Sequence, residues 1–319
     1  MVIAVDAMGG DYAPRVVVEG AARAVADLGV EILLVGRQDE IEAELAKVSS
    51  KSISVLHAPD VIGPDEVPTK AVRRKKESSV MVGLKAVKEG KAAGFVSAGS
   101  TGAVLTGATV VVGRQEGIER PALGAPMPTQ KGITLLVDCG ANVDCKPLYL
   151  AQFARMGSDY MARARGIKNP TVGLVNIGAE AEKGNMLVKE AYELIGQAGV
   201  NFIGNVEARE LPAGAVDVAV CDAFVGNVIL KYTEGLAKSL MGLVKEELMA
   251  DPLSKFGALM AKSAFGRVKQ RLDYDEIGGA PFLGLNSLVV KAHGSSSAKA
   301  IFGAIRQCVL YTKGADYGV

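Results

Sequence analysis

Residues 93–112 read AGFVSAGSTGAVLTGATVVV and contain the pattern that decides the fold. A short apolar run predicts a strand, a glycine-bearing turn follows, and the remaining residues predict a helix. Five other segments repeat this order: Asp6–Asp11, Asp138–Asp144, Asn176–Asn185, Cys221–Asn227 and Lys291–Ser296. In an α/β sheet such loops lie at the carboxyl edge, where helix N-termini offer unpaired N–H groups to an anion. The sequence therefore predicts a site for a phosphate-sized ligand.

The same alternation runs through the whole chain. Nine short apolar runs predict strands at 2–5, 31–35, 53–56, 93–96, 133–137, 171–175, 201–203, 216–220 and 287–290. Eight longer stretches predict helices at 14–28, 39–47, 69–89, 100–112, 148–165, 180–198, 226–249 and 296–311. This order favours an α/β fold of three αβα layers around a largely parallel, doubly wound sheet. We expect one domain over residues 1–319, a helical protrusion over about 240–275, and surface loops at 59–68 and 278–281.

Charge and cysteine usage exclude several classes of protein. The chain has 36 Lys and Arg against 35 Asp and Glu, so no overall field favours nucleic acid. The four cysteines form no CxxC pair and have the apolar neighbours of buried thiols, which indicates a reducing, cytoplasmic compartment. The most apolar stretch, residues 103–113, is too short to span a bilayer. Strand-like sequence from Val2 argues against a signal peptide.

Candidate residues for binding an anion, most of them with neutral side chains, are concentrated in the loops. The candidate phosphate- or substrate-binding residues are Ser97, Ser100, Thr101, Gly102, Asn142 and Asp144. Each has a structural alternative: the run from Ser97 could serve only as a helix cap, and Asn142 could be a turn residue with Asp144 capping the next helix. The sequence leaves both interpretations open.

Three further residues are candidates for direct catalysis: Lys183, Asn227 and His293. Lys183 is the cation of a glycine-bearing loop and could clamp phosphate or a developing oxyanion, although an ordinary solvated lysine fits the same pattern. Asn227 and His293 follow predicted strands and could donate hydrogen bonds to phosphate. His293 could equally cap local structure.

Known cofactor and nucleotide motifs are absent. The chain has two histidines, too few to indicate a metal cluster, and we expect neither metal nor cofactor. No GxGxxG follows the first strand, and GxxxxGK[ST] and GxSxG are missing. A nicotinamide-dependent dehydrogenase, a kinase and a serine hydrolase are therefore disfavoured.

At the level of its motifs the chain resembles the PlsX family, the bacterial phosphate acyltransferases of phospholipid synthesis. The motifs that carry the resemblance are 6–11, 97–103, 120–122, 138–144, 176–184, 204–209, 217–227, 278–284 and 291–296. They follow the family's order over nearly the whole chain. Ser100 stands where the family usually has asparagine, and Ala223 where it usually has glycine. Alanine resists positive φ, so it would cost about 1 kcal/mol if its loop uses that conformation.

The resemblance implies a fold like that of isopropylmalate dehydrogenase and a specific reaction. Inorganic phosphate attacks the thioester of an acyl carrier protein, giving a long-chain acyl phosphate and free carrier. It also implies a homodimer, peripheral contact with the inner face of the membrane, and hand-over of product to a membrane glycerol-3-phosphate acyltransferase. Two alternatives remain: a phosphate acetyltransferase-like enzyme that uses acyl coenzyme A, and a non-catalytic sensor of phosphoryl ligands.

Two surface segments are candidates for partner contacts. Arg73 and Arg74 belong to the densest basic cluster and could dock an acidic carrier protein, although a solvated helix face is an equal alternative. An apolar stripe recurs every three or four residues at Leu253, Phe256, Met260, Ala264, Val268 and Leu272. With lysine and arginine beside it, this stripe predicts an amphipathic helix that lies on a membrane or packs on a neighbour.

Overall fold

A computed structural model describes residues 1–48, 52–271 and 274–314. The strands are β1 Val2–Asp6, β2 Glu31–Gly36, β3 Ile53–His57, β4 Gly94–Ser97, β5 Ala122–Thr129, β6 Gly132–Val137, β7 Thr171–Asn176, β8 Asn201–Glu207, β9 Val218–Val220, β10 Ala280–Leu283 and β11 Leu288–Lys291. The α-helices are α1 Arg15–Leu28, α2 Gln38–Leu45, α3 Pro68–Arg74, α4 Ser79–Lys88, α5 Thr101–Val111, α6 Pro147–Arg165, α7 Met186–Gly196, α8 Ala223–Leu248, α9 Pro252–Met260, α10 Lys262–Arg271, α11 Tyr274–Ile277 and α12 Ala298–Lys313. A 3₁₀ helix covers Ala208–Ala213.

The strands form one sheet in the order β3-β2-β1-β4-β11-β10-β5-β6-β9-β7-β8. Helices cover both faces of its first half. Ala4 and Phe95 pack with α4 and α5, whereas the alternate strand residues Ile3 and Val5 pack with α1 and α12. On the second half, α6 and α7 cover β6, β7 and β9. The three-layer αβα architecture predicted from the sequence is confirmed.

The two halves of the sheet run in opposite directions. The pairs β11–β10, β10–β5 and β5–β6 are antiparallel, and the other neighbouring pairs are parallel. The expectation that all six glycine-bearing loops share one edge is therefore wrong. Loops after β1, β4 and β11 lie at one edge, and loops after β6, β7 and β9 lie at the opposite edge.

A stagger between the halves nevertheless brings the two sets of loops together. Phe282 of β10 pairs with Val289 of β11 on one side and Leu123 of β5 on the other. The next residue of β5, Gly124, pairs with Val137, the last residue of β6. Since β11 continues to Lys291, its carboxyl end and that of β6 meet at the same level of the sheet. This meeting point is where the main cleft forms.

The sequence missed the two strands that create this arrangement. β5 contains Pro126 and Pro128, which argue against a strand, but its pairing with β10 covers only Ala122 and Leu123. The prolines lie beyond that contact, so their missing N–H groups remove no hydrogen bond between β5 and β10. β10 begins at Ala280, inside the segment that the sequence predicts as a loop.

Three predicted helices also differ from the structure. Residues 69–89 form two helices, because α3 ends at Arg74 and Ser78 caps a new helix, α4. α7 begins at Met186 after Asn185 caps it, not at residue 180. The stripe from Leu253 spans two helices, α9 and α10, which Ala261 separates, and Leu272 lies outside the described residues. In the described ranges no helix is long and apolar enough to cross a membrane.

Candidate functional site

A cleft of about 840 Å³ lies where the loops of the two halves meet. Its lining comes from both halves of the sheet. Thr101 begins α5, Gly140 follows β6, Asn227 lies in the first turn of α8, and Lys291 and His293 lie at and after the end of β11. The cleft therefore combines four of the six glycine-bearing loops.

Lys291 is the buried cation of the cleft. It is the last residue of β11, pairs in register with Ser97 of β4, and its exposed fraction is 8%. The ammonium donates to the carbonyl of Ala292 and forms no ion pair with any described residue. Burial lowers the pKa of Lys291 to about 8, although the charges of Asp6 and Asp11 oppose that shift.

Beside Lys291, the N-terminus of α5 is open. Ser100 occupies the N-cap position of α5, but its side chain accepts no hydrogen bond from the helix backbone. By contrast, Asp222 caps α8, Asn185 caps α7 and Ser297 caps α12. Because the first amides of a helix need an acceptor, α5 presents unsatisfied donors to this cleft, which the unpartnered buried hydroxyl of Ser296 also lines.

His293 has a defined orientation next to these donors. Its Nδ1 accepts the backbone N–H of Ser295 at 3.3 Å and lies 2.9 Å from the Ser295 hydroxyl. In the neutral ring the proton is therefore on Nε2, which has no partner among the described residues and is free to donate. A donor to phosphate at this position stays a prediction.

Two predicted binding residues make hydrogen bonds within the fold. The Ser97 hydroxyl donates to Asp6 Oδ2 at 2.6 Å, and burial raises the pKa of Asp6. The Asn142 amide donates to Asp138 Oδ2 and to the Pro121 carbonyl, each at 2.8 Å. In this structure their donors are used to shape the loops.

Asp138 is the organiser of the loop after β6. Its carboxylate accepts the backbone N–H groups of Leu123, Gly140, Ala141 and Asn142, as well as the Asn142 amide. Burial raises the pKa of Asp138, and these hydrogen bonds oppose the shift. The loop is thereby held against the start of α8, where Ala223 N–H donates to the Asn142 carbonyl at 2.9 Å.

The remaining predicted residues divide into two groups. Thr101 and Asn227 line the cleft, whereas Lys183 and Asp144 do not. Lys183 lies in the loop after β7, where its carbonyl accepts the Asn176 amide. Gly102 lies against α3, because an added Cβ would meet the ring of Pro68 at 2.7 Å.

The lining of the cleft contains both apolar and charged side chains. The apolar ones include Leu123, Ala125 and Pro126 of β5 and Phe224 and Leu230 of α8. The charged ones include Lys231, Glu234 and Lys238 of α8 and Asp275 of α11. Lys231 and Glu234 form an ion pair at 3.1 Å. The cleft can thus accept a ligand that has both an anionic end and an apolar end.

The metal-ligating residues and the thiols of the described ranges are arranged as follows. The described residues contain no group of three or more His, Cys, Asp or Glu that could hold a metal. Cys139, Cys221 and Cys308 are buried free thiols, and Cys145 is partly buried. Burial raises the pKa of the Cys139 thiol, so this residue in the cleft wall is a poor nucleophile.

Ala223, one of the two departures from the family pattern, carries no strain. It is the first residue of α8, and none of the described non-glycine residues has a positive φ. The close approach is three residues later, at Gly226, where an added Cβ would overlap the Asp138 carbonyl oxygen.

Comparisons with solved structures agree with the fold. The structure superposes on a phosphotransacetylase from Streptococcus pyogenes with a TM-score of 0.68 and 19% identity, covering 98% of this chain and 94% of that one. A putative 4-hydroxythreonine-4-phosphate dehydrogenase from Salmonella typhimurium gives a TM-score of 0.57 at 11% identity, covering 97% and 99% of the chains. These similarities show a shared α/β fold with helices on both sides of a largely parallel sheet.

The sequence comparisons show the family. A family model described as "Fatty acid synthesis protein" matches residues 1–313. The phosphate acyltransferase of Clostridium botulinum (strain Loch Maree / Type A3) is 51% identical over 317 residues, covering 98% of this chain and 95% of that protein. This chain belongs to the fatty acid synthesis protein family, the PlsX-type proteins whose motifs it shares.

Proposed function

We propose that this chain is a phosphate acyltransferase that converts a long-chain acyl thioester and inorganic phosphate into an acyl phosphate and a free thiol. One observation carries the proposal: a single cleft joins a buried lysine and an open helix N-terminus to apolar lining residues. The cation and amides suit phosphate, and the apolar residues suit the acyl chain. The family relationship supports the same reaction.

The reaction needs positioning more than a protein nucleophile. A phosphate oxygen attacks the carbonyl carbon, the carbon–sulfur bond breaks, and the departing thiolate takes a proton. Asn227 and His293 Nε2 are the side-chain donors proposed for phosphate and for the developing oxyanion. The apolar lining residues limit access of water to the mixed anhydride.

For the acyl donor we propose acyl carrier protein. The exposed side chains of Arg73 and Arg74 lie on α3, which packs against α5 through the Pro68–Gly102 contact. A basic surface next to the open helix N-terminus suits an acidic carrier that delivers its thioester to the cleft.

For α9 and α10 we propose contact with the cytoplasmic face of the membrane. Leu253, Phe256 and Met260 are exposed by 80%, 61% and 74% in the single chain. The lysine and arginine residues beside them can attract the anionic headgroups of lipids. The sparingly soluble product then passes to a membrane glycerol-3-phosphate acyltransferase.

A homodimer is proposed on a separate apolar row of α8. Val228, Tyr232, Leu236 and Leu240 recur every four residues and are all exposed in the single chain. Such a row on one helix face suits packing against the same helix of a second copy.

Incubation with palmitoyl-type acyl carrier protein and inorganic phosphate tests the reaction. We expect acyl phosphate and free carrier, identified by mass, without nucleotide, nicotinamide or added metal. Omission of phosphate is the control and should stop release of the carrier. Rapid turnover of acetyl coenzyme A with no reaction of the carrier-linked donor would instead assign the cleft to a phosphate acetyltransferase.

A further inference from the structure

Lys291 differs from the other cations around the cleft in its surroundings. Lys231 is paired with Glu234, and Lys238 is exposed. By contrast, Lys291 is buried and has no carboxylate within ion-pair distance among the described residues. An ammonium group has three donors, and the Ala292 carbonyl accepts from one of them. A buried charge that lacks partners costs free energy, so the folded protein retains it at the expense of stability.

An anion in the cleft would satisfy this charge. Lys291 pairs in register with Ser97 at the end of β4. The turn that follows Ser97 leads directly to the open N-terminus of α5. The ammonium and the first amides of α5 therefore border one region of the cleft, which Thr101 and His293 also line. Positive groups from two adjacent strand ends converge there.

We propose that Lys291 binds the phosphate substrate directly and supplies its principal positive partner within the chain. The inference rests on the proposed function only in taking inorganic phosphate as the substrate. It assigns the role of the cation to Lys291, rather than to Lys183 in the exposed loop after β7.

The protonated form of Lys291 is the form that binds. With a pKa of about 8, the ammonium is present at neutral pH and is lost as the pH rises through that value. The charges that act on it are those of Asp6 on β1, Asp11 in the following loop and Lys231 on α8. Glu234 and Lys238 on α8, Asp275 on α11 and the imidazole of His293 line the same cleft. Bound phosphate adds a negative charge and raises the pKa of Lys291 in the complex.

Calorimetric titration with inorganic phosphate tests the proposal without turnover. Lys291→Met keeps the length of the side chain and removes the charge, and we expect it to weaken phosphate binding at least about tenfold. Lys168→Met, an exposed lysine outside the cleft, is the matched control and should bind as the wild type does. The melting temperature of Lys291→Met should equal or exceed that of the wild type, because a buried unpaired charge is gone.

Kinetics then separate binding of phosphate from binding of the acyl donor. Lys291→Met should raise KM for phosphate and leave KM for the donor unchanged. The wild type should lose kcat/KM for phosphate above about pH 8, and Lys291→Arg should move this limb to higher pH, since a guanidinium stays protonated there. If Lys291→Met fails to fold, the pH limb of Lys291→Arg decides.

The outcomes distinguish this inference from the proposed function. Unchanged phosphate affinity in Lys291→Met, or an unchanged alkaline limb in an active Lys291→Arg, overturns the role of Lys291 while acyl phosphate formation by the wild type still stands. Phosphate binding that depends on Lys291 without any acyl phosphate formation supports the inference and rejects the proposed reaction.

Discussion

Among single residues, two buried charges show how the same burial serves different purposes. Asp138 accepts five hydrogen bonds from its own loop and from β5, so its charge is satisfied within the fold. Lys291 has one acceptor, the Ala292 carbonyl. A satisfied buried charge fixes a loop, and an unsatisfied one in a cleft is available to a ligand.

Asn227 provides the test of the remaining side-chain donors. We expect Asn227→Ala to lower kcat/KM for acyl phosphate formation at least about tenfold, which is roughly 1.4 kcal/mol of transition-state stabilisation. Asn169→Ala, which removes an exposed amide outside the cleft, is the control for folding and should leave the kinetics unchanged.

Lys183 is measured in the same series. The sequence hypothesis expects Lys183→Ala to lose at least about tenfold as well. Lys183 lies outside the lining of the cleft and Asn227 within it, so the two variants compare the sequence hypothesis with the geometry of the cleft. Wild-type kinetics for Lys183→Ala would remove this residue from the site, and wild-type kinetics for both variants would reject the proposed donors.

Of the secondary-structure elements, α8 carries the most functions. Asp222 caps its N-terminus, its first turns line the cleft, and its later turns expose the apolar row. The helix is held close to the loop after β6 because Gly226 has no side chain to strike the Asp138 carbonyl. This contact positions Asn227, the next residue.

A pair of glycine substitutions in α8 tests that close approach. Gly226→Ala should lower the free energy of unfolding by about 1–3 kcal/mol, because its Cβ overlaps backbone that cannot move freely. Gly235→Ala in the same helix meets nothing within 4 Å. It should raise stability by up to about 1 kcal/mol through helix propensity.

Urea unfolding of both variants gives the comparison. We expect opposite signs for the two changes in stability, because the same methyl group meets the Asp138 carbonyl at position 226 and no atom within 4 Å at position 235. Equal stabilisation by the two alanines would show that α8 is free to shift away from Asp138.

For the whole molecule, the cleft and the exposed helices are connected along the chain. α8 leaves the cleft, α9 and α10 follow it, and α11 and β10 return to the cleft at Asp275 and Ala280. A membrane bound by α9 would therefore lie at a segment whose two ends both form walls of the site. This arrangement suits release of an acyl product near lipid.

Binding to anionic liposomes tests the exposed stripe. The double variant Leu253→Glu with Phe256→Glu should abolish co-sedimentation and leave turnover of soluble acyl carrier protein largely intact, because both side chains are exposed. The matched control is Val110→Glu with Ile203→Glu, which adds the same charge at exposed apolar positions elsewhere. Its liposome binding should remain.

The mass of the variants in solution completes this test. Wild-type liposome binding by the Leu253 and Phe256 double variant would show that the stripe is not the membrane contact. A monomeric and inactive double variant would show that it is a structural surface.

The sequence by itself determined most of the strands and the residue types at their ends. All nine predicted strands are present, since each is a short apolar run bounded by turn residues, a signal carried by local residues alone. The sequence also predicted the glycine-bearing loops, the neutral donors Thr101 and Asn227, and His293. Its motifs indicated the family as well. Lys291 lies in one of the glycine-bearing segments, but its burial cannot be predicted from the neighbouring residues.

Only the tertiary structure decided which of these residues meet. Strand direction and stagger depend on the pairing of β5 with β10, which are distant from each other in sequence, and both strands contain prolines that weaken the local strand pattern. That pairing reversed one half of the sheet and brought the two carboxyl edges to one level. Burial follows from the same non-local contacts, which engaged Ser97 and Asn142 in hydrogen bonds within the fold and left Lys291 as an unpaired charge in the cleft.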